Sequence, residues 1–251
     1  MGFRLKALAW HLVSSAAVMA LVMGSLYLGW YRWPGWYLAD ASRVALVMLL
    51  VDVGLGPLLT LVIASPRKAR GALARDVAVI VAVQLAALAY GVVSLWNGRP
   101  LYYAFSENCL SLVQAYDIDP ADAAAGRERN PALAPHWYNL PRWIWAPLPD
   151  DPDQAQKIIG SAVRGGADVT AMPVYYRSYE AGLPALRKQL QRVDDIKFFS
   201  LNQKQVLKQR MLASGIPTDG ANALALTGRA HPLLAVFDPA SLQITANLKC
   251  D

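Results

Sequence analysis

The chain has 251 residues, 55% of them hydrophobic and 17% charged, with a formal net charge of +6. Residues 1–96 hold eight Lys/Arg against three Asp/Glu, and residues 97–251 hold sixteen against fifteen. The excess charge flanks apolar runs rather than forming a basic face, which argues against nucleic acid and for membrane lipid as a partner.

The first apolar run, about residues 7–31, follows Arg4 and Lys6. It is longer than the 7–15-residue core of a secretory signal and is expected to be an uncleaved membrane helix. His11 and Ser15 lie one turn apart near its start, where a histidine is expected at the headgroup level. Tyr27, Trp30, Tyr31, Trp33, Trp36 and Tyr37 crowd its far end as an interfacial belt. Trp33-Pro34-Gly35-Trp36 reads as a turn leading to the second run.

The second run, about 44–64, contains one charge, Asp52. Nine residues after Arg43, Asp52 lies about 13 Å into a helix at 1.5 Å per residue. A carboxylate there costs on the order of 2.5–3.5 kcal/mol unless protonated, hydrated or paired. Gly56, Thr60 and Ala64 follow at intervals of four, a small-residue stripe that lets another helix approach closely. Pro57 has no N–H for the carbonyl of Val53, so that carbonyl is expected to be free and the helix bent. Arg67, Lys68, Arg70 and Arg75 then form a basic loop suited to anionic lipid. The third run, about 77–96, carries Gln84, Ala87, Gly91 and Ser94 on one face, facing the second run. The positive-inside rule puts the N-terminus and the basic loop in the cytoplasm and the part after the third helix outside.

Residues 97–251 read as an α+β domain on the periplasmic side. Leu101–Phe105 and Cys109–Tyr116 have strand character, with Ser106-Glu107-Asn108 as a hairpin turn. Residues 117–149, rich in Ala, Asp and Pro, read as loop, with His136-Trp137-Tyr138 and Trp143-Ile144-Trp145 as an aromatic patch. Helices are expected over 152–163, 183–193 and 202–213, and a closing hairpin from Leu233–Phe237 and Leu242–Ala246. Cys109 and Cys250, an even pair in an oxidising compartment, are expected to form a disulfide.

Chemistry is sparse. There is no Gly-x-Ser-x-Gly, Walker loop or His-Glu-x-x-His, and His11, His136 and His231 are scattered, so no catalytic residue, metal or cofactor is expected. Asp52 and Asp76 are separated by about 15–18 Å in depth, too far to share a proton.

Three stretches carry a family resemblance: Asp52-Val-Gly-Leu-Gly-Pro-Leu-Leu-Thr60, Pro66-Arg-Lys68 and Val83-Gln-Leu-Ala-Ala-Leu-Ala-Tyr-Gly91. They resemble the TfpX/TfpZ family of type IV pilin accessory proteins over roughly the first half of the chain. The later half matches loosely, in pieces such as Leu226-Thr-Gly-Arg229. The resemblance implies an inner-membrane protein that binds a type IV major pilin, through its membrane helix and the pilin head, without catalysis. Asp52, Gly56, Pro57, Thr60, Gln84 and Gly91 are the candidate partner-binding residues. The pilin helix implied by the resemblance starts with a free amine, which Asp52 would meet if it reached that depth. The alternative is a membrane-anchored periplasmic enzyme or sensor, with its site in the aromatic loop 131–145.

Overall fold

The computed structural model describes residues 2–63, 65, 69–107, 109–136 and 141–250. The basic loop at Pro66–Lys68, the small residue Ala64, Asn108 of the hairpin turn and Trp137-Tyr138 lie outside the described residues. The chain divides into two compact units, one of residues 1–32 and 40–98, the other of 33–39 and 99–251.

The first unit contains three helices long and apolar enough to cross a membrane: α1 (Gly2–Gly29), α2 (Ala41–Ile63) and α3 (Arg70–Asn97). Large side chains such as Trp10, Leu21, Val62 and Tyr90 point outward, as they do where the solvent is hydrocarbon. The helices α1 and α3 both pack on α2. Near one end, the Tyr31 hydroxyl donates to the Leu95 carbonyl at 2.7 Å, and Trp30 meets Trp96 edge-on at 5.0 Å. The middle of α2, Leu50–Leu55, winds as a π-helix just before Gly56-Pro57. Proline cannot donate there, and the wider winding absorbs the break.

The second unit is built on one seven-stranded mixed sheet in the order β4-β3-β1-β2-β5-β6-β7. The strands are β1 (Pro100–Ser106), β2 (Cys109–Gln114), β3 (Arg142–Trp145), β4 (Arg177–Ser178), β5 (Ala223–Thr227), β6 (Leu233–Phe237) and β7 (Ile244–Lys249). The first hairpin forms as expected, with Phe105 opposite Leu110. On either side of it, β3 runs parallel to β1 and β5 parallel to β2. Both faces of β5 and β6 are covered. Ala223, Ala225, Leu234 and Val236 pack with Val193, Ile196, Phe199, Leu207 and Met211, while Leu224, Leu226, Leu233 and Phe237 on the opposite face are also buried. A second cluster joins Leu101, Tyr102, Ala104, Val113 and Ile144 to Ile158, Val169 and Tyr176. Together these confirm an α+β domain after three apolar helices.

Several details differ from the sequence reading. The segment read as loop contains the helix α4 (Pro120–Arg129) and the strand β3. Asp119 caps α4, its carboxylate accepting from the Ala121 N–H at 2.8 Å, and Pro120 occupies the first turn, where no N–H is needed. The helix α5 (Pro152–Val163) matches its expected range. The helix α6 (Tyr179–Gln189) starts four residues earlier than the expected 183, because Ser178 caps it and Pro184 falls within its first turns. The helix α7 (Leu201–Ala213) is closed at its start by Ser200 and Gln203, each accepting from the other's backbone. The last strand begins at Ile244 rather than Leu242, whose φ of 55° ends the preceding turn.

The expected Cys109–Cys250 disulfide is absent, and neither cysteine is in a disulfide. Cys109 starts β2 and Cys250 follows β7, three strand positions apart across the sheet. At about 4.8 Å per position the separation is about 14 Å, twice the largest Cα separation a disulfide spans. Cys250 is instead buried, with Gln203 Nε2 3.4 Å and the Pro232 carbonyl 3.3 Å from its sulfur.

Residues 33–39 belong to the second unit. The Leu38 carbonyl accepts from the Arg229 N–H at 2.7 Å and from the Ala230 N–H at 3.1 Å. A Cβ on Gly228 would sit 2.5 Å from the Leu38 carbonyl oxygen, so glycine allows the approach. The Lys249 ammonium lies over the rings of Tyr37, at 4.4 Å, and Trp33, at 5.5 Å.

Candidate functional site

The polar residues of the three apolar helices converge. His11 of α1 turns inward, with Nδ1 2.6 Å from Thr60 Oγ1 and Nε2 2.8 Å from Gln84 Oε1. Gln84 Nε2 of α3 donates to the main-chain carbonyl of Asp52 at 2.8 Å. That last bond orients the amide, making Gln84 Oε1 the acceptor and His11 Nε2 the donor. His11 Nδ1, bare in this tautomer, accepts from the Thr60 hydroxyl. One chain of hydrogen bonds thus ties α1, α2 and α3 at a single depth.

This corrects two expectations. His11 is a helix-packing residue rather than a headgroup-level one. The carbonyl that a neighbouring helix satisfies is that of Asp52 rather than Val53. In a π-helix the partner of a carbonyl lies five residues on instead of four, so Pro57 fails to serve Asp52, and Gln84 takes its place.

The small residues serve the same contacts. A Cβ on Gly56 would lie 2.0 Å from Gln84 Nε2, and one on Gly91 would lie 2.3 Å from Met48 Sδ. Gly56, Pro57, Thr60, Gln84 and Gly91 are all buried inside the unit. These residues pack against helices of this same chain.

Asp52 is different. It is 6% exposed, yet neither carboxylate oxygen has a hydrogen-bond partner among the described residues. It borders a cavity of about 190 Å³ between α1 and α3, lined also by His11, Ser14, Ser15, Val18 and Gln84. Ser14, Val18, Val81 and Leu85 at the cavity's edge are exposed, so it opens on the outer surface of the helices.

A larger cavity, about 310 Å³, lies in the second unit beside α4, bordered by Arg99, Arg127, Asn130, Tyr102 and Tyr176. The Tyr102 hydroxyl donates to the Leu133 carbonyl at 3.0 Å, and the Tyr176 hydroxyl donates to the Thr170 carbonyl. Burial pushes the Tyr102 phenol up to about 12, against the pull of Arg142 and Arg127. Among the described residues its lining has arginine, asparagine and tyrosine but no carboxylate, imidazole or thiol. Trp143 and Trp145 of the aromatic patch are strand residues packed in place. Trp143 stacks on Tyr103 at 4.6 Å, and Gly182 of α6 lies so close to Trp145 that a Cβ would meet its ring at 2.6 Å. Among the described residues no group of three metal-ligating side chains occurs.

The chain is similar to the fimbrial assembly protein of serogroup I of Dichelobacter nodosus, 25% identical over 198 residues that cover 78% of this chain and 74% of that one. The serogroup E1 protein of the same organism is 24% identical over the same shares. The protein of serogroups C1 and C2 is 28% identical over 108 residues, 43% of this chain and 82% of that one. These relatives bear out the resemblance read from Asp52–Thr60 and Val83–Gly91 and extend it into the second unit. No family model and no solved structure matches the chain.

Proposed function

We propose that the chain is an accessory protein of type IV pilus assembly, held in the bacterial inner membrane, that supports pilin by binding without catalysis. The observation that carries this reading is the similarity to fimbrial assembly proteins over 78% of the chain. Three apolar helices support a membrane-anchored protein. The basic residues Arg67, Lys68, Arg70 and Arg75 favour a cytoplasmic loop against anionic lipid, and with it a periplasmic α+β domain. The test is co-purification of the major pilin from native membranes, with piliation scored in a deletion strain. Pilin recovered with the tagged chain, and loss of pili without it, are the expected results. A strain that pilates normally without the protein and yields no pilin with it removes the reading. A reporter within 67–75 active in the periplasm would reverse the orientation. The alternative of an anchored enzyme or sensor finds less support. The larger cavity presents arginines and two tyrosines already bonded to carbonyls, with no acid–base pair among the described residues of its wall.

A further inference from the structure

Around Asp52 the donors of Gln84, His11, Thr60 and Ser14 are committed elsewhere. Gln84 gives its amide N–H to the Asp52 backbone carbonyl, His11 gives its Nε2–H to Gln84, and the Thr60 hydroxyl goes to His11. Ser14 Oγ turns back to the Trp10 carbonyl of its own helix. The carboxylate is left with acceptor sites only, nine-tenths buried, on the wall of a cavity open to the outer surface of the helices. Asp52 is central in the Ala41–Ile63 helix, about 16 Å from either end by helical rise, beyond the ordinary reach of lipid headgroups. A group that fits must be positively charged, donate hydrogen bonds, be small, and arrive from within the hydrocarbon.

We propose that the cavity between α1 and α3 receives an ammonium group carried by the transmembrane helix of a partner protein, with Asp52 as its counter-ion. Each charge then relieves the other's desolvation cost, which neither does alone at that depth. The exposed Val18, Val81 and Leu85 at the cavity's edge give the incoming helix an apolar seat. The inference rests on the binding role proposed above and adds the chemistry by which a partner is recognised and the face that recognises it.

The test uses the full chain in phosphatidylcholine nanodiscs and a labelled 21-residue leucine-rich helical peptide with one central lysine. Its control is the same peptide with leucine in that place. Capture is read by energy transfer. Wild type should capture the lysine peptide at least tenfold better than the control. Asp52→Asn should abolish the preference, as should Ser15→Trp, which fills the cavity and leaves the carboxylate in place. The Ser15 variant keeps the test decisive if Asp52→Asn does not fold. Equal capture of the two peptides by wild type, or an undiminished preference in both variants, overturns the proposal. Loss of the preference when phosphatidylethanolamine replaces the phosphatidylcholine assigns the site to a lipid amine and overturns it too. If the peptides are not discriminated while pilin still co-purifies, the site falls and the assembly role stands. The reverse result removes the assembly role and leaves the site.

Discussion

Gly56 and Gln84 should be energetically coupled, and the geometry sets the size. A methyl group at position 56 would lie 2.0 Å from Gln84 Nε2 and 2.4 Å from Cδ, so the amide must leave its place. The end of a glutamine side chain moves cheaply unless it is bonded, and this one holds two bonds between helices, to the Asp52 carbonyl and from His11. Hydrogen bonds between membrane helices average about 0.6 kcal/mol and reach about 1.7. Gly56→Ala therefore forfeits about 1–3 kcal/mol, offset by the roughly 0.8–1 kcal/mol that alanine gains over glycine inside a helix. With Gln84→Ala already made, both bonds are gone and so is the obstruction, and Gly56→Ala should then be neutral or stabilising. Reversible unfolding of the four proteins in dodecylmaltoside–SDS mixed micelles, followed by far-ultraviolet circular dichroism, measures the cycle. The expected coupling is about 1–3 kcal/mol, and additivity within about 0.5 kcal/mol would refute the reasoning. Gly91→Ala is a useful comparison, since the displaced group is the Met48 thioether, which can swing aside without giving up a hydrogen bond.

Leu224→Ala should destabilise the α+β unit by about 2–5 kcal/mol, because Leu224 is fully buried on an interior strand, and urea unfolding of the wild type and variant would show it. Leu212, 65% exposed on α7, should tolerate the same change with little shift in midpoint. Electrophoresis with and without reductant should give one mobility, since neither cysteine is in a disulfide, and a band that shifts on reduction and vanishes in Cys109→Ser would count against the sheet order. Burial pushes the Cys109 thiol up, with Ser111 pulling it down and Asp168 and Glu107 adding to the rise. Its alkylation should accordingly still be accelerating at pH values where an unfolded thiol has levelled off. The folded state holds this proton more tightly, so the contribution is full below the unfolded pKa and is lost as pH rises through the folded one. Cys109→Ser should flatten the alkaline decline.

The long apolar runs, the first hairpin, α5, α7 and β6 were legible because their signals are local: hydropathy, alternation, caps and turn residues. Two buried pieces of the α+β unit were not. Trp143-Ile144-Trp145 is only a four-residue strand with Arg142, set among prolines, and what makes it a strand is parallel pairing with β1, which no local pattern announces. The helix α4 did carry a signal, Asp119 before Pro120, but its Ala-Asp composition obscured it. The disulfide was inferred from compartment and parity, and only strand order shows that three strand positions separate the two residues. At the candidate site the right residue types were visible, but His11 was placed at the headgroup level, away from Gln84 and Asp52. The π-helix and the reach of the glutamine and histidine side chains bring them together.

The anchoring of residues 33–39 has a consequence for how the molecule is made. These residues leave the ribosome early, yet their partners Arg229, Ala230 and Lys249 come about two hundred residues later. The segment between the first two apolar helices must therefore wait, without its final hydrogen bonds, until the last strands are synthesised. The α+β unit is not a contiguous stretch of chain. A fragment cut at Arg99 would lack Leu38, which is fully buried, and would expose the ledge that its carbonyl and side chain cover beside Gly228. Expressing that half alone should give a domain missing a piece of its own core, which an added copy of the 33–39 peptide could restore.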